Sequence, residues 1–227
     1  MKYLIIFLLI FQIETVFSQR INQTGAWYMY FYTHEFNESN WGIQGDVQYR
    51  NWNILGDLEQ LLIRSGVTYK PKDANIKFTA GIAHVSTGDL GPSKDINTEF
   101  RFYQEALFPQ KIGNRVYLNH RFRYEQRFVE DQDFRTRYRY NIFVNIPING
   151  KEINNGVFYA AFYNELFIND EKNIGKEVTV EYFDRNRTYF GLGKVLSKNF
   201  NTQLGWMNQQ GNNFGKGQFQ LSLHHKF

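Results

Sequence analysis

Residues 115–128 have the sequence RVYLNHRFRYEQRF, and residues 134–139 have the sequence FRTRYR. In both segments, charged residues alternate with apolar or aromatic ones. Because successive side chains of a β-strand point to opposite faces, each segment predicts a strand with one ionised face and one apolar-aromatic face. Residues 129–133, VEDQD, are acidic and lie between the two segments. The sequence therefore predicts two antiparallel strands joined by an acidic turn.

Two environments suit a hairpin of this kind. A water-soluble sheet would bury the apolar face and leave the arginines in solvent. A barrel that spans a membrane turns the apolar face towards lipid and keeps the charged face inside. The rest of the chain favours the barrel.

Strand-like alternation recurs along the chain after residue 19. Eleven segments, each about as long as a tilted strand that crosses a bilayer, are separated by turn residues: 27–36, 41–52, 58–69, 76–85, 99–108, 115–128, 134–142, 157–168, 187–196, 202–208 and 219–227. Single-chain bacterial barrels have even strand numbers, so residues 177–182 are predicted to add a twelfth strand. The predicted fold is all-β, a single closed antiparallel transmembrane β-barrel of 12 strands, with 10 strands as the alternative.

The two ends of the chain predict its destination. Residues 1–18 combine a basic Lys2, an apolar run and small residues near Ser18, which is typical of a secretory signal peptide. Residues 19–227 would then form the barrel domain. The last strand alternates and ends on Phe227, which resembles the C-terminal signal of outer-membrane barrel proteins. We therefore expect a bacterial outer-membrane location, with the lipid bilayer and the barrel-assembly machinery as partners.

Composition sets further limits. The chain has no Cys, so an exported protein of this size must be stabilised by its core or by strand closure rather than by disulfides. Aromatic residues form 18% of the chain, roughly twice the usual share. The mean hydropathy of −0.52 does not argue against a barrel, because alternating strands average to polar. The net charge of +4 is spread along the chain, which predicts no nucleic-acid partner.

The predicted inner face of three consecutive strands carries eight Arg and three Glu residues: Glu99, Arg101, Glu105, Arg115, Arg121, Arg123, Glu125, Arg127, Arg135, Arg137 and Arg139. We call this set the charge ladder. One interpretation is structural, since Arg forks onto carboxylates of neighbouring strands and large side chains fill a narrow lumen. The other is a narrow channel that favours small anions, since rings of Arg select for anions.

His84 and Ser86 raise a hydrolase alternative. Barrel lipid hydrolases of the outer membrane use a His-x-Ser pair on the lipid-facing side of a strand, with an Asn or Glu of the next strand orienting the His. His84 has the outward phase, but Glu99 and Asn97 have the inward phase, and Thr98 occupies the outward position. No orienting acid is therefore predicted. We expect no enzymatic activity, and keep an outer-membrane esterase or lipase as the alternative.

Other kinds of site have less support. The five His residues lack ligand spacing with carboxylates, and the chain has no phosphate-binding loop or nucleotide fingerprint. No metal or cofactor is predicted. A barrel that binds a ligand at the cell surface, through Gly-rich loops such as residues 209–217, is a further alternative.

Several short segments carry a resemblance to a known family. They are residues 99–104 (EFRFYQ), 121–128 (RFRYEQRF), 137–140 (RYRY), 183–187 (FDRNR) and 191–193 (GLG). In these segments, and over about residues 24–227, the chain resembles the domain of unknown function 2490 family. The resemblance implies an outer-membrane barrel of a Gram-negative bacterium. It implies no activity, because that family has none assigned.

Overall fold

A computed structural model describes residues 19–20 and 24–227. The predicted signal peptide, residues 1–18, lies outside these residues. The described part of the chain is all-β, and it contains no helix long and apolar enough to cross a membrane. Its strands are β1 (Gln19–Arg20), β2 (Gly25–Glu35), β3 (Trp41–Asn51), β4 (Leu58–Tyr69), β5 (Lys77–Gly88), β6 (Ile96–Ile112), β7 (Val116–Val129), β8 (Arg135–Pro147), β9 (Phe158–Asn169), β10 (Phe183–Val195), β11 (Phe200–Gly211) and β12 (Phe214–Lys226).

Eleven strands, β2 to β12, form one closed barrel. Each strand pairs antiparallel with the next, and β12 closes the barrel by pairing parallel with β2 over Gln218 to Lys226. The short β1 pairs parallel with the start of β12. We call the end at which β2 begins the N-terminal end, and the end at which β12 stops the C-terminal end.

The all-β closed barrel is confirmed, but the predicted strand number is wrong. The barrel has 11 strands, not 12 or 10, because residues 177–182 remain in the loop between β9 and β10. That loop folds back on itself: Ile174 N donates to Val178 O at 3.0 Å, and Val180 N donates to Lys172 O at 2.7 Å. Its backbone groups are thus paired without joining the sheet.

The odd strand number also corrects the prediction of a wholly antiparallel barrel. In a sheet of 11 alternating strands, the first and the last run in the same direction. The seam between β2 and β12 is therefore parallel, and the two termini of the barrel lie at opposite ends.

The two faces of the sheet differ as the alternation predicts. Among the described residues, 25 buried residues are polar or charged and only 13 are hydrophobic. Large apolar side chains are exposed on the outer face instead, including Phe102, Phe122, Phe190 and Leu204. The apolar surface of this barrel thus faces outwards, and the charged surface faces the lumen.

Candidate functional site in the barrel lumen

The charge ladder lies inside the barrel along β6, β7 and β8. Eight of its members are buried: Glu99, Arg101, Glu105, Arg123, Glu125, Arg127, Arg137 and Arg139. Arg121 and Arg135 are partly buried. Arg115 precedes β7 in a turn and donates to the carbonyl oxygen of Pro147, so it lies at the C-terminal end, apart from the others.

Glu125 lies at the centre of the ladder. Its Oε2 accepts from Arg137 Nη2 and its Oε1 from Arg139 Nη1, both at 2.6 Å. Arg123 and Arg101 approach the same carboxylate at 3.6 and 3.9 Å. The Glu125 side chain is only 2% exposed, and four guanidinium groups surround its carboxylate.

Two further carboxylates of the ladder connect strands in the same way. Glu99 accepts from Arg101 on its own strand and from Arg127 on β7, at 2.6 and 2.5 Å. Glu105 accepts from Arg123 and lies 3.7 Å from Arg121. Apart from Arg115 and Arg135, the ladder thus forms a continuous ion-pair network across β6, β7 and β8.

Sequence analysis missed several partners of this network. Glu165 on β9 pairs with Arg121 at 2.7 Å and with Arg139 at 2.5 Å. Asp184 on β10 pairs with Arg137 at 2.9 Å. The available signal was the inward phase of these carboxylates, but it does not reveal which arginine lies within reach across the lumen.

The buried charges do not balance. Within the described chain, nine buried basic residues (Arg50, Arg64, Arg101, Arg123, Arg127, Arg137, Arg139, Arg187, Lys216) face five buried carboxylates (Asp46, Glu99, Glu105, Glu125, Glu165). Among these buried residues positive charges exceed negative ones by four, and by three when Glu59, the partly buried partner of Lys216, is included.

A cavity of about 490 Å³ occupies the rest of the lumen. Its lining begins at Trp27 and Arg50, near the N-terminal end. It extends to Thr33 and Asn201, near the C-terminal end. Part of its wall is apolar and is formed by Trp27, Tyr159, Ala161 and Tyr189, with Met29 and Tyr163 against them. The lumen therefore combines a cationic surface with an aromatic one.

Contacts across the lumen occupy the N-terminal end. Lys216 on β12 pairs with Glu59 on β4, and Gln218 Nε2 donates to Glu59 Oε2 at 2.6 Å. The Lys216 ammonium also lies 4.2 Å from the centre of the Trp52 ring. The cavity lining does not include these residues, so at this end side chains rather than open space fill the lumen.

His84 and Ser86 lie on the outer face of β5. Ser86 Oγ is 3.3 Å from His84 Nε2. The residues opposite His84 on the two neighbouring strands are Ile63 and Phe100, and the nearby Glu99 is buried in the lumen with its arginines. Among the described residues, no carboxylate or amide side chain makes a hydrogen bond to His84.

Phe227 follows the last strand at the C-terminal end. Its backbone N donates to Thr33 O at 3.1 Å, and its carbonyl oxygen lies 2.6 Å from His34 Nδ1. The ring is 49% exposed and lies 6.3 Å from the Tyr32 ring. The terminal residue is thus held on β2, across the seam.

The described residues contain no group of three His, Cys, Asp or Glu side chains that could hold a metal ion.

Comparison with known proteins assigns this barrel to a family. The family model described as "Protein of unknown function (DUF2490)" matches residues 24–220, which is most of the chain. The chain belongs to the DUF2490 family. This DUF2490 protein is also 29% identical over 184 residues to the uncharacterized protein MexAM1_META1p0181 of Methylorubrum extorquens, covering 76% of the chain and 75% of that relative. No solved structure matches it.

Proposed function

We propose that this DUF2490 protein is a bacterial outer-membrane β-barrel with a narrow, anion-favouring lumen. The observation that carries the proposal is the distribution of side chains: 25 buried residues in the described part of the chain are polar or charged, while large hydrophobic residues form the outer surface. In water, such a surface would promote aggregation. In a lipid bilayer the same surface is favourable, because the closed barrel satisfies its backbone hydrogen bonds internally.

The charge of the lumen supports the preference for anions. Within residues 24–227 the buried basic residues exceed the buried carboxylates by four, and pores lined by Arg favour anions. The ion-pair network and the Lys216–Glu59 contact fill much of the interior. We therefore expect a small conductance rather than that of a wide porin.

Two measurements on the refolded protein test the proposal. Unboiled samples should migrate differently from boiled ones on a denaturing gel, as closed membrane barrels do. In planar bilayers with a KCl gradient, the reversal potential should indicate that chloride passes more easily than potassium. Recovery of the native protein as a soluble periplasmic monomer would contradict the membrane location, and a cation-selective or silent barrel would contradict the channel.

Two arginine variants test where in the barrel the anion preference arises. Arg187→Gln removes a buried charge from the cavity and should weaken the anion preference. Arg115→Gln removes a charge from the turn at the C-terminal end and should alter it less. Equal effects of the two changes would show that selectivity does not arise in the buried lumen.

A further inference from the structure

Two guanidinium groups lie against one indole ring in the lumen. Arg50 Cζ is 3.9 Å from the centre of the Trp27 ring, and Arg187 Cζ is 4.8 Å from it. Trp27 lies on β2, Arg50 on β3 and Arg187 on β10. Trp27 is 3% exposed and each arginine is 7% exposed. The closed barrel thus brings two buried cations to one aromatic group.

Neither arginine has a carboxylate at hydrogen-bond distance. Arg50 donates to the amide oxygens of Gln48 and Gln60. Arg187 Nε donates to Gln209 Oε1 at 2.6 Å, and its closest carboxylate, that of Glu165, is 3.9 Å away. Buried cations are normally paired with anions, as Arg137 and Arg139 are with Glu125.

Unpartnered donors lie beside these cations. Gln220 is directly opposite Trp27 in the parallel seam and is 2% exposed. Its Oε1 accepts from Tyr163 Oη at 3.0 Å. Trp27 Nε1 and Gln220 Nε2 have no acceptor among the described residues. Both side chains line the cavity, and both nitrogen atoms are buried, so a small rotation of each side chain would bring its unpaired donor to an acceptor held there.

The cavity has room for more than an inorganic ion. Its volume of about 490 Å³ lies within the range of small-molecule sites. Beyond Trp27, the wall is formed by Tyr159, Tyr189 and Met29. A ligand that fills it would combine a negative head group with an apolar body.

We infer that the lumen contains a binding site for an organic oxyanion, a carboxylate, sulfonate or phosphate ester that carries an aromatic or alkyl body. The head group binds Arg50 and Arg187 and accepts from Trp27 Nε1 and Gln220 Nε2. The body packs on Tyr159 and Tyr189. The inference rests on the proposed anion-favouring lumen, but it does not require the barrel to conduct.

Calorimetric titration of the refolded barrel in detergent micelles tests the site. The probes are naphthalene-2-sulfonate, its neutral analogue methyl 2-naphthyl sulfone, and inorganic phosphate. The sulfonate should bind about tenfold or more tightly than either of the others, because only it satisfies both the cations and the apolar wall. Equal affinity for sulfonate and sulfone would overturn the inference, and so would equal affinity for sulfonate and phosphate.

Variants assign the binding to these residues. Arg50→Gln and Arg187→Gln should each weaken sulfonate binding about tenfold, the usual scale for a charged hydrogen bond. Arg135→Gln is the matched control: it removes one inward positive charge outside the cavity lining and should change the affinity less than about twofold. An equal loss in Arg135→Gln would overturn the site.

One more variant and a comparison with the conductance measurement complete the test. Trp27→Phe keeps an aromatic ring at this position but loses the Nε1 donor and part of the ring surface, so it should bind the sulfonate a few-fold more weakly even if the arginine variants do not refold. A barrel that binds the sulfonate but is silent in bilayers contradicts only the channel. A conducting barrel that does not bind the sulfonate contradicts only the site.

Discussion

Lys216 on β12 forms a largely buried ion pair with Glu59 on β4, although β2 and β3 lie between these two strands. The side chains are 5% and 12% exposed. The pair spans the parallel seam at which the barrel closes, and Gln218 on β12 donates to the other oxygen of Glu59. Side-chain contacts across the lumen thus reinforce the backbone pairing of the seam.

Glu59→Gln should lower the temperature at which the barrel unfolds. The change leaves the Lys216 charge buried without its partner, and breaking a buried pair costs about 3–5 kcal/mol in dry protein. The measurement is the folded fraction on gels after heating in detergent. Glu59→Gln/Lys216→Gln should recover part of the loss, because it removes the uncompensated charge.

An exposed pair at the same seam provides the control. Glu35 on β2 and Lys226 on β12 lie 3.4 Å apart, with side chains 50% and 63% exposed. Glu35→Gln should change the unfolding temperature little, since exposed pairs contribute about 0–1 kcal/mol. A larger loss in Glu35→Gln than in Glu59→Gln would contradict the role assigned to the buried pair.

Glu125→Gln should destabilise the barrel more than Glu99→Gln does. Four guanidinium groups lie within 4 Å of Glu125, whereas two lie within that distance of Glu99. Removing one negative charge therefore leaves more unbalanced positive charge at Glu125. The unfolding temperatures of the two variants are compared in the same detergent. Unchanged stability together with increased anion conductance would indicate a water-filled lumen instead of a packed one.

Local alternation predicts which residues of one strand share a face, and Arg123, Glu125 and Arg127 are buried together on β7, whereas Arg115 lies in the turn before that strand. The period of two is a property of each strand, so the shared face of Arg123, Glu125 and Arg127 followed from the sequence alone. The strand number could not be predicted in this way, because residues 177–182 also alternate. These residues pair with residues 172–174 of the same loop, and alternation does not distinguish such a loop from a strand of the barrel.

Contacts across the lumen depend on how the whole barrel closes. The approach of Arg50 and Arg187 to Trp27 requires β2, β3 and β10 to surround one space. That arrangement depends on the number of strands and on the parallel seam, neither of which can be obtained from a single strand. The partners Glu165 and Asp184 were missed for the same reason.

Deletion of Phe227 should lower the amount of protein in the outer membrane. The residue ends the outward-facing series Leu221, Leu223 and His225, and it contacts β2 through Thr33. Phe227→Tyr keeps an aromatic terminus and should insert normally. Quantification of the barrel in isolated outer membranes provides the measurement. Normal levels of the truncated protein would show that the terminal aromatic group is not required for insertion.

Ser86→Ala should leave phospholipid and lipid A hydrolysis at the background of the wild-type protein. Ser86 Oγ lies 3.3 Å from His84 Nε2, but the neighbours of His84 across the sheet are Ile63 and Phe100. A serine nucleophile needs a base that is itself oriented by a third group, and the described chain places none at His84. Ser222 and His224 form a similar pair inside the lumen, with Ser222 Oγ 3.0 Å from His224 Nε2, so Ser222→Ala is the matched control. A hydrolytic activity that Ser86→Ala abolishes and Ser222→Ala preserves would establish the outer face of β5 as an active site and overturn the expectation that this barrel is not an enzyme.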